Sequence, residues 1–68
     1  MFLAEKMRKI REEKYPNKTD YLYVLDRAGL RVSRPTLNSW EKGETEPNFK
    51  QLEILAEVLH VKQGDLIQ

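Results

Sequence analysis

The chain has no cysteine, so neither a disulfide nor a thiolate-bound metal can staple it. It has one histidine, His60, and nothing near it repeats a metal-ligand spacing; a capping or packing role at a helix end suits it better. The three glycines, Gly29, Gly43 and Gly64, stand apart, each following or punctuating a helical stretch, so there is no glycine-rich phosphate loop. Ser33 and Ser39 have no base partner in view. No catalytic constellation can be assembled, and an enzyme, a cofactor or a bound metal is not expected. Long apolar runs are missing too. Residues 1–20 carry charges at close intervals, which excludes a signal peptide or membrane span there and makes a cytoplasmic protein the expectation. At 68 residues the chain is read as one small domain, 1–68, burying about 60% of its unfolded surface.

The formal net charge is only +1, but it is unevenly spread. Residues 1–43 hold ten Lys and Arg against six Asp and Glu, and residues 44–68 hold two against five. A chain polarised this way can turn a positive face to an anionic partner.

Apolar spacing predicts an all-α fold. Leu3, Met7 and Ile10 recur at i, i+4 and i+7 in a first helix over residues 2–14, ended by Pro16. After "PNKTD", Thr19 or Asp20 is the natural N-cap of a second helix packing Leu22, Leu25 and Ala28, with Val24 nearby, and stopping at Gly29. Ser33 caps a third helix with Pro35 in its first turn, where a missing N–H costs nothing, and Gly43 closes it. Asn48 caps a fourth, with an apolar stripe of Phe49, Leu52, Leu55, Ala56 and Leu59. "QGDLIQ" reads as a short fifth helix folding Leu66 and Ile67 back onto the core.

The third helix divides oddly. At 100° per residue, Thr36, Leu37, Trp40 and Glu41 share one arc, while Arg34, Pro35, Asn38, Ser39 and Lys42 share the other. A carboxylate lies on the inward side, and hydrogen-bonding groups lie on the outward side.

Three stretches together carry a resemblance: "IREEK" at 10–14, "AGLRVSRPTLNSWEKGETEPN" at 28–48 and "LEILAEVLHVKQGDLI" at 52–67. The chain resembles the helix-turn-helix family of Cro proteins and phage repressors, most specifically through Ser33, Leu37, Trp40-Glu41-Lys42-Gly43 and Pro47. The resemblance implies a compact five-helix, lambda-repressor-like domain that binds a double-stranded DNA operator and regulates transcription, as a repressor. It implies that the third helix enters the major groove, with Arg34, Pro35, Asn38 and Ser39 at base-reading positions. Arg can donate twice to guanine O6 and N7, Asn can pair with adenine N6 and N7, Ser is less selective, and a Pro ring can meet a thymine methyl. Lys42 matches a phosphate-contacting position; Ser33, Lys18, Thr19 and Arg31 are further phosphate candidates near helix N-termini. Glu41 matches an acid that pairs with an arginine in the first helix, here Arg11. Association with the nucleoid follows from such a role.

Two departures stand out. The link between the first two helices, "YPNKTD", and the turn "GLRVS" are both longer than the family's usual ones, so Arg34 is placed by aligning backwards from Leu37 and Glu41. The resemblance also implies a homodimer, at least on DNA. The basic half holds the third helix, so the contact is expected near "ETEPN" and the C-terminal end, with Val61, Leu66 and Ile67 as apolar candidates. The alternative is an antitoxin-type or other regulator on the same scaffold, whose acidic C-terminal half binds a protein partner.

Overall fold

Side-chain caps at Asn17, Ser33 and Asn48, left-handed residues at Gly29, Gly43 and His60, and Pro16 divide the chain into helices. In the computed structural model, which describes all 68 residues, these are α1 (Ala4–Lys14), α2 (Lys18–Arg27), α3 (Arg34–Lys42) and α4 (Phe49–Leu59). A 3-10 helix, Gln63–Leu66, follows, so the fifth helical segment is one tight turn and not an α-helix. Its first turn is fixed by Asp65, whose Oδ2 accepts from the Lys62 N–H at 3.1 Å. Beyond it the backbone is extended. Phe2 and Ile67 form an antiparallel bridge, flanked by Leu3 N–H to the Leu66 carbonyl at 2.8 Å and Gln68 N–H to the Met1 carbonyl at 2.7 Å. That pairing draws residues 2 and 3 out of the first helix, which begins at Ala4.

All helices contribute to one core. It contains Met7 of α1, Tyr21 and Leu25 of α2, and Leu37 and Trp40 of α3, over the α4 face of Leu52, Leu55, Ala56, Val58 and Leu59. Phe2, Leu30 and Leu66 close its edges. The stripe of α4 follows the i, i+3, i+4, i+7 pattern of a helix lying on a core. It starts at Leu52, however, since Phe49 at the head of α4 is 72% exposed.

The second helix differs most from its sequence reading. Asn17, in extended conformation, accepts the Thr19 N–H on Oδ1 at 2.8 Å, so the cap is Asn17 and the helix starts before Thr19 and Asp20. Asn ranks with Asp and Ser as a cap, and Tyr21 and Leu25, four residues apart, form the inward face of the helix. Tyr21 packs beside Tyr15 with ring centroids 5.4 Å apart. Ala28 is exposed, and Leu22 and Val24 are half-buried. Thr36 is exposed as well, because its hydroxyl turns to Ser33 at the helix start.

Helix ends behave as their residues dictate. Ser33 Oγ accepts the Thr36 N–H at 3.3 Å, and Asn48 forms a reciprocal box with Gln51, at 2.8 and 2.7 Å. Gly43 stops α3 at φ 76°. His60 stops α4 in the same left-handed region at φ 59°, where an L side chain costs roughly 1–2 kcal/mol.

Candidate nucleic-acid interface

The position of α3 is fixed from beneath by a charged pair. Arg11 and Glu41 are buried, at 3% and 7% exposure, and meet as a two-pronged fork. Arg11 Nε donates to Glu41 Oε2 at 2.8 Å, and Nη2 donates to Oε1 at 2.9 Å. The remaining nitrogen, Nη1, donates to the carbonyls of Tyr15 and Pro16 at 3.2 and 3.4 Å, tying down the turn after α1. The hydrogen bond to Glu41 and the carboxylate's charge, working against burial, raise the Arg11 pKa above its ordinary value. A satisfied buried pair of this kind adds little net stability, but removing one member strands the other. Its effect here is geometric: it joins α1 to α3 with a planar, directional contact that only arginine can make.

Above this pair, the outer side of α3 is tied to the start of α2. Arg34 Nη2 donates to Thr19 Oγ1 at 2.5 Å. Lys18 Nζ donates to Asn38 Oδ1 at 2.5 Å and lies 3.5 Å from Glu41 Oε1. Arg8, Lys18, Asn38, Glu41 and Lys42 together line a concave surface without a single apolar side chain. The result is a cationic shelf, with Lys18, Arg8 and Lys42 around one buried carboxylate.

The outward arc of α3 is divided between two neighbours. Arg34 and Asn38 face α2. Pro35 and Ser39 line a separate cleft with Thr36, Trp40, Thr45 and Gln51, towards the start of α4. Ser39 Oγ donates to Glu44 Oε1 at 3.2 Å. Arg34, Pro35 and Lys42 are exposed, whereas Asn38 and Ser39 are half-buried. Ser33 uses its hydroxyl twice on Thr36, accepting from N and donating to Oγ1. Arg31 lies apart from the shelf, held by Asp26 at 3.1 Å at the far end of α2.

Arg8 joins this surface although sequence reasoning did not single it out. The signal was available: Arg8 lies three residues before Arg11, on the same face of α1, and its partner Glu12 at 3.5 Å leaves it half-buried. Tyr21 was missed as well. It lies inside the cluster with its hydroxyl lacking any hydrogen-bond partner, and burial pushes its pKa well above the usual tyrosine range.

Two helices joined by residues 28–33, with the second presenting polar side chains and a basic rim, are the geometry of a helix-turn-helix. A helix-turn-helix family model matches residues 26–63, more than half of the chain. The chain belongs to the helix-turn-helix family of Cro and phage-repressor type, a family of DNA-binding regulators. The match begins in the last turn of α2 and rests on the turn, α3 and α4, leaving α1 outside it. No curated protein and no solved structure matches the chain. None of its helices is long and apolar enough to cross a membrane.

Proposed function

We propose that residues 1–68 form a single domain that binds double-stranded DNA sequence-specifically and represses transcription in the cytoplasm, at the nucleoid. In this reading α3 lies in the major groove. Arg34, Pro35, Asn38 and Ser39 face base edges. Lys42, Lys18, Thr19, Ser33 and Arg8 face phosphates, and Arg31 is a distant phosphate contact. The observation that carries it is the shelf of Arg8, Lys18 and Lys42 flanking the outer side of α3. Cations around a polar reading helix supply both the salt-dependent and the base-dependent parts of binding. Arg34→Ala should cost about 1–3 kcal/mol and relax preference at one base pair per half-site. Lys42→Ala should weaken all sequences alike and flatten the salt slope by roughly one unit. Titrations in which Arg34→Ala weakens every duplex equally would reverse the assignment of Arg34.

A lone module of this kind buries on the order of 600–1,000 Å² on DNA, so tight binding calls for two copies on half-sites about 34–36 Å apart. For the surface that joins them, Leu66 is withdrawn because it is completely buried. Val61 remains, half-buried, and Ile67 at 38% exposure. Phe49 joins them: its ring is 72% exposed, it follows the "ETEPN" loop directly in the chain, and its backbone carbonyl accepts from Gln63 Nε2 at 3.2 Å, which ties the head of α4 to the C-terminal turn. Band shifts on a palindromic site should show one two-copy complex that inserted half-turns abolish, and a one-copy complex of equal affinity on a half-site would exclude the dimer. The same exposed Phe49, in the acidic half, favours a second reading in which a protein partner docks there; co-purification of a defined partner lost in Phe49→Ser would establish it.

A further inference from the structure

Lys18 does more than add charge to the shelf; it fixes which way round Asn38 is presented. An ammonium has three donors and no acceptor. The Asn38 amide can therefore meet Lys18 only through its oxygen, as the contact of Nζ with Oδ1 records. Its Nδ2 protons are then the groups turned away from Lys18. Lys18 is also not free to leave, because the buried carboxylate of Glu41, already held by Arg11, lies 3.5 Å from Nζ. A full positive charge thus stands beside the amide oxygen.

We infer that Lys18 is a positioning residue that makes Asn38 a donor and steers it to guanine in place of adenine. An unconstrained Asn recognises adenine by donating to N7 and accepting from N6. Here Lys18 takes one of the two lone pairs of the Asn38 oxygen, and an adenine amino group approaching the other would bring its protons up to an ammonium. Guanine offers two acceptors, O6 and N7, on the same edge, and the two Nδ2 protons suit them. With Arg34, itself a donor-only side chain, the α2-facing side of α3 reads acceptors.

This inference rests on the reading of Asn38 as a base contact, and selection of bound duplexes from a random pool separates the two. The base pair whose preference disappears in Asn38→Ala is the one Asn38 reads. At that pair the parent protein should favour guanine over adenine by about tenfold, the order expected of one good base contact. Lys18→Met, or Lys18→Gln should the former fold poorly, should move the preference to adenine, and Lys18→Arg should keep guanine. A parent preference for adenine that Lys18→Met leaves unchanged overturns the inference. So does a Lys18→Met protein that binds every duplex more weakly with no change at that pair, which is the signature of a phosphate contact. If Asn38→Ala alters no preference while Arg34→Ala does, the positioning role falls and the DNA reading stands. If the parent enriches no sequence at all, both fall.

Discussion

Helices α3 and α4 are similar in length and capping, yet they are held in place by different physics. Each starts at a polar side chain that accepts an amide of its first turn, Ser33 and Asn48. Each stops at a left-handed residue, Gly43 and His60. Helix α4 then buries only apolar groups, whereas α3 buries Leu37 and Trp40 together with Glu41. Apolar burial is non-directional, so α4 is anchored by area and tolerates small rotations. A forked arginine–carboxylate contact is directional, so α3 has one preferred roll about its axis. On the proposed reading of base edges by α3 its roll has to be fixed, and that of a supporting helix does not.

Breaking the directional anchor should have the largest effect. Glu41→Ala leaves the Arg11 guanidinium buried without its counter-charge, and a loss of about 3–5 kcal/mol is expected in urea melts. Replacing both partners by apolar residues of similar volume, Arg11→Met with Glu41→Leu, should recover most of that loss. DNA selectivity should still decline, because the roll of α3 is no longer fixed. A double variant with parental selectivity would show that area alone orients α3. On the other helix, Leu59→Ala should cost about 2–5 kcal/mol by cavity formation, and no partner substitution of charge should recover it.

The caps sharpen the comparison at a smaller scale. Asn48→Ala and Ser33→Ala should each cost about 1 kcal/mol, a fall of roughly 4–8 °C in Tm for a domain of this size. The loss should be greater at Asn48, whose box with Gln51 satisfies two amides, while Ser33 bonds its amide at the longer 3.3 Å. Equal losses would remove the box as a source of extra stability.

The smallest effect belongs to Tyr21, next to the charged pair. Burial, reinforced by the Glu41 charge, raises its folded pKa above the unfolded value of about 10. Stability from keeping this phenol neutral is therefore fully present below about pH 10 and lost as pH rises beyond that. Tyr21→Phe removes a hydroxyl that has no partner, so it should match or slightly exceed the parent at neutral pH. It should also show a shallower decline in thermal melts above pH 10.

What sequence could and could not reveal follows from the range of each signal. Ser33 and Gly43 bracket α3 with local chemistry, and Leu37, Trp40 and Glu41 fall on one arc by spacing alone, so the helix and its inward face were legible. The start of α2 was not, because Asn17, Thr19 and Asp20 are all competent caps within four residues. Tyr21 was hidden by its polar tip, which suits an exposed position as well as a buried one, and Ala28 lies past the helix at its C-cap. Phe49 looked like the head of a stripe because periodicity cannot say where the core beneath it ends. The contact of Lys18 with Asn38 depends on how α2 and α3 cross after six intervening residues, a tertiary fact with no local trace. The pairing of Phe2 with Ile67 is still less local, joining opposite ends of the chain.

That pairing sets residues 1 and 68 side by side. The Met1 ammonium donates to the Gln68 carbonyl at 2.9 Å, so the two ends already meet at the distance a short peptide link could span. Joining them would remove loop-closure entropy from the unfolded chain worth about 3–5 kcal/mol while leaving the folded state nearly undisturbed. A circle of this kind could then be reopened in the exposed stretch 44–46, which carries none of the helices. The linear order of the helices is thus one of several ways of cutting the same closed path, and the assembly of α3 on its arginine anchor does not depend on which is chosen.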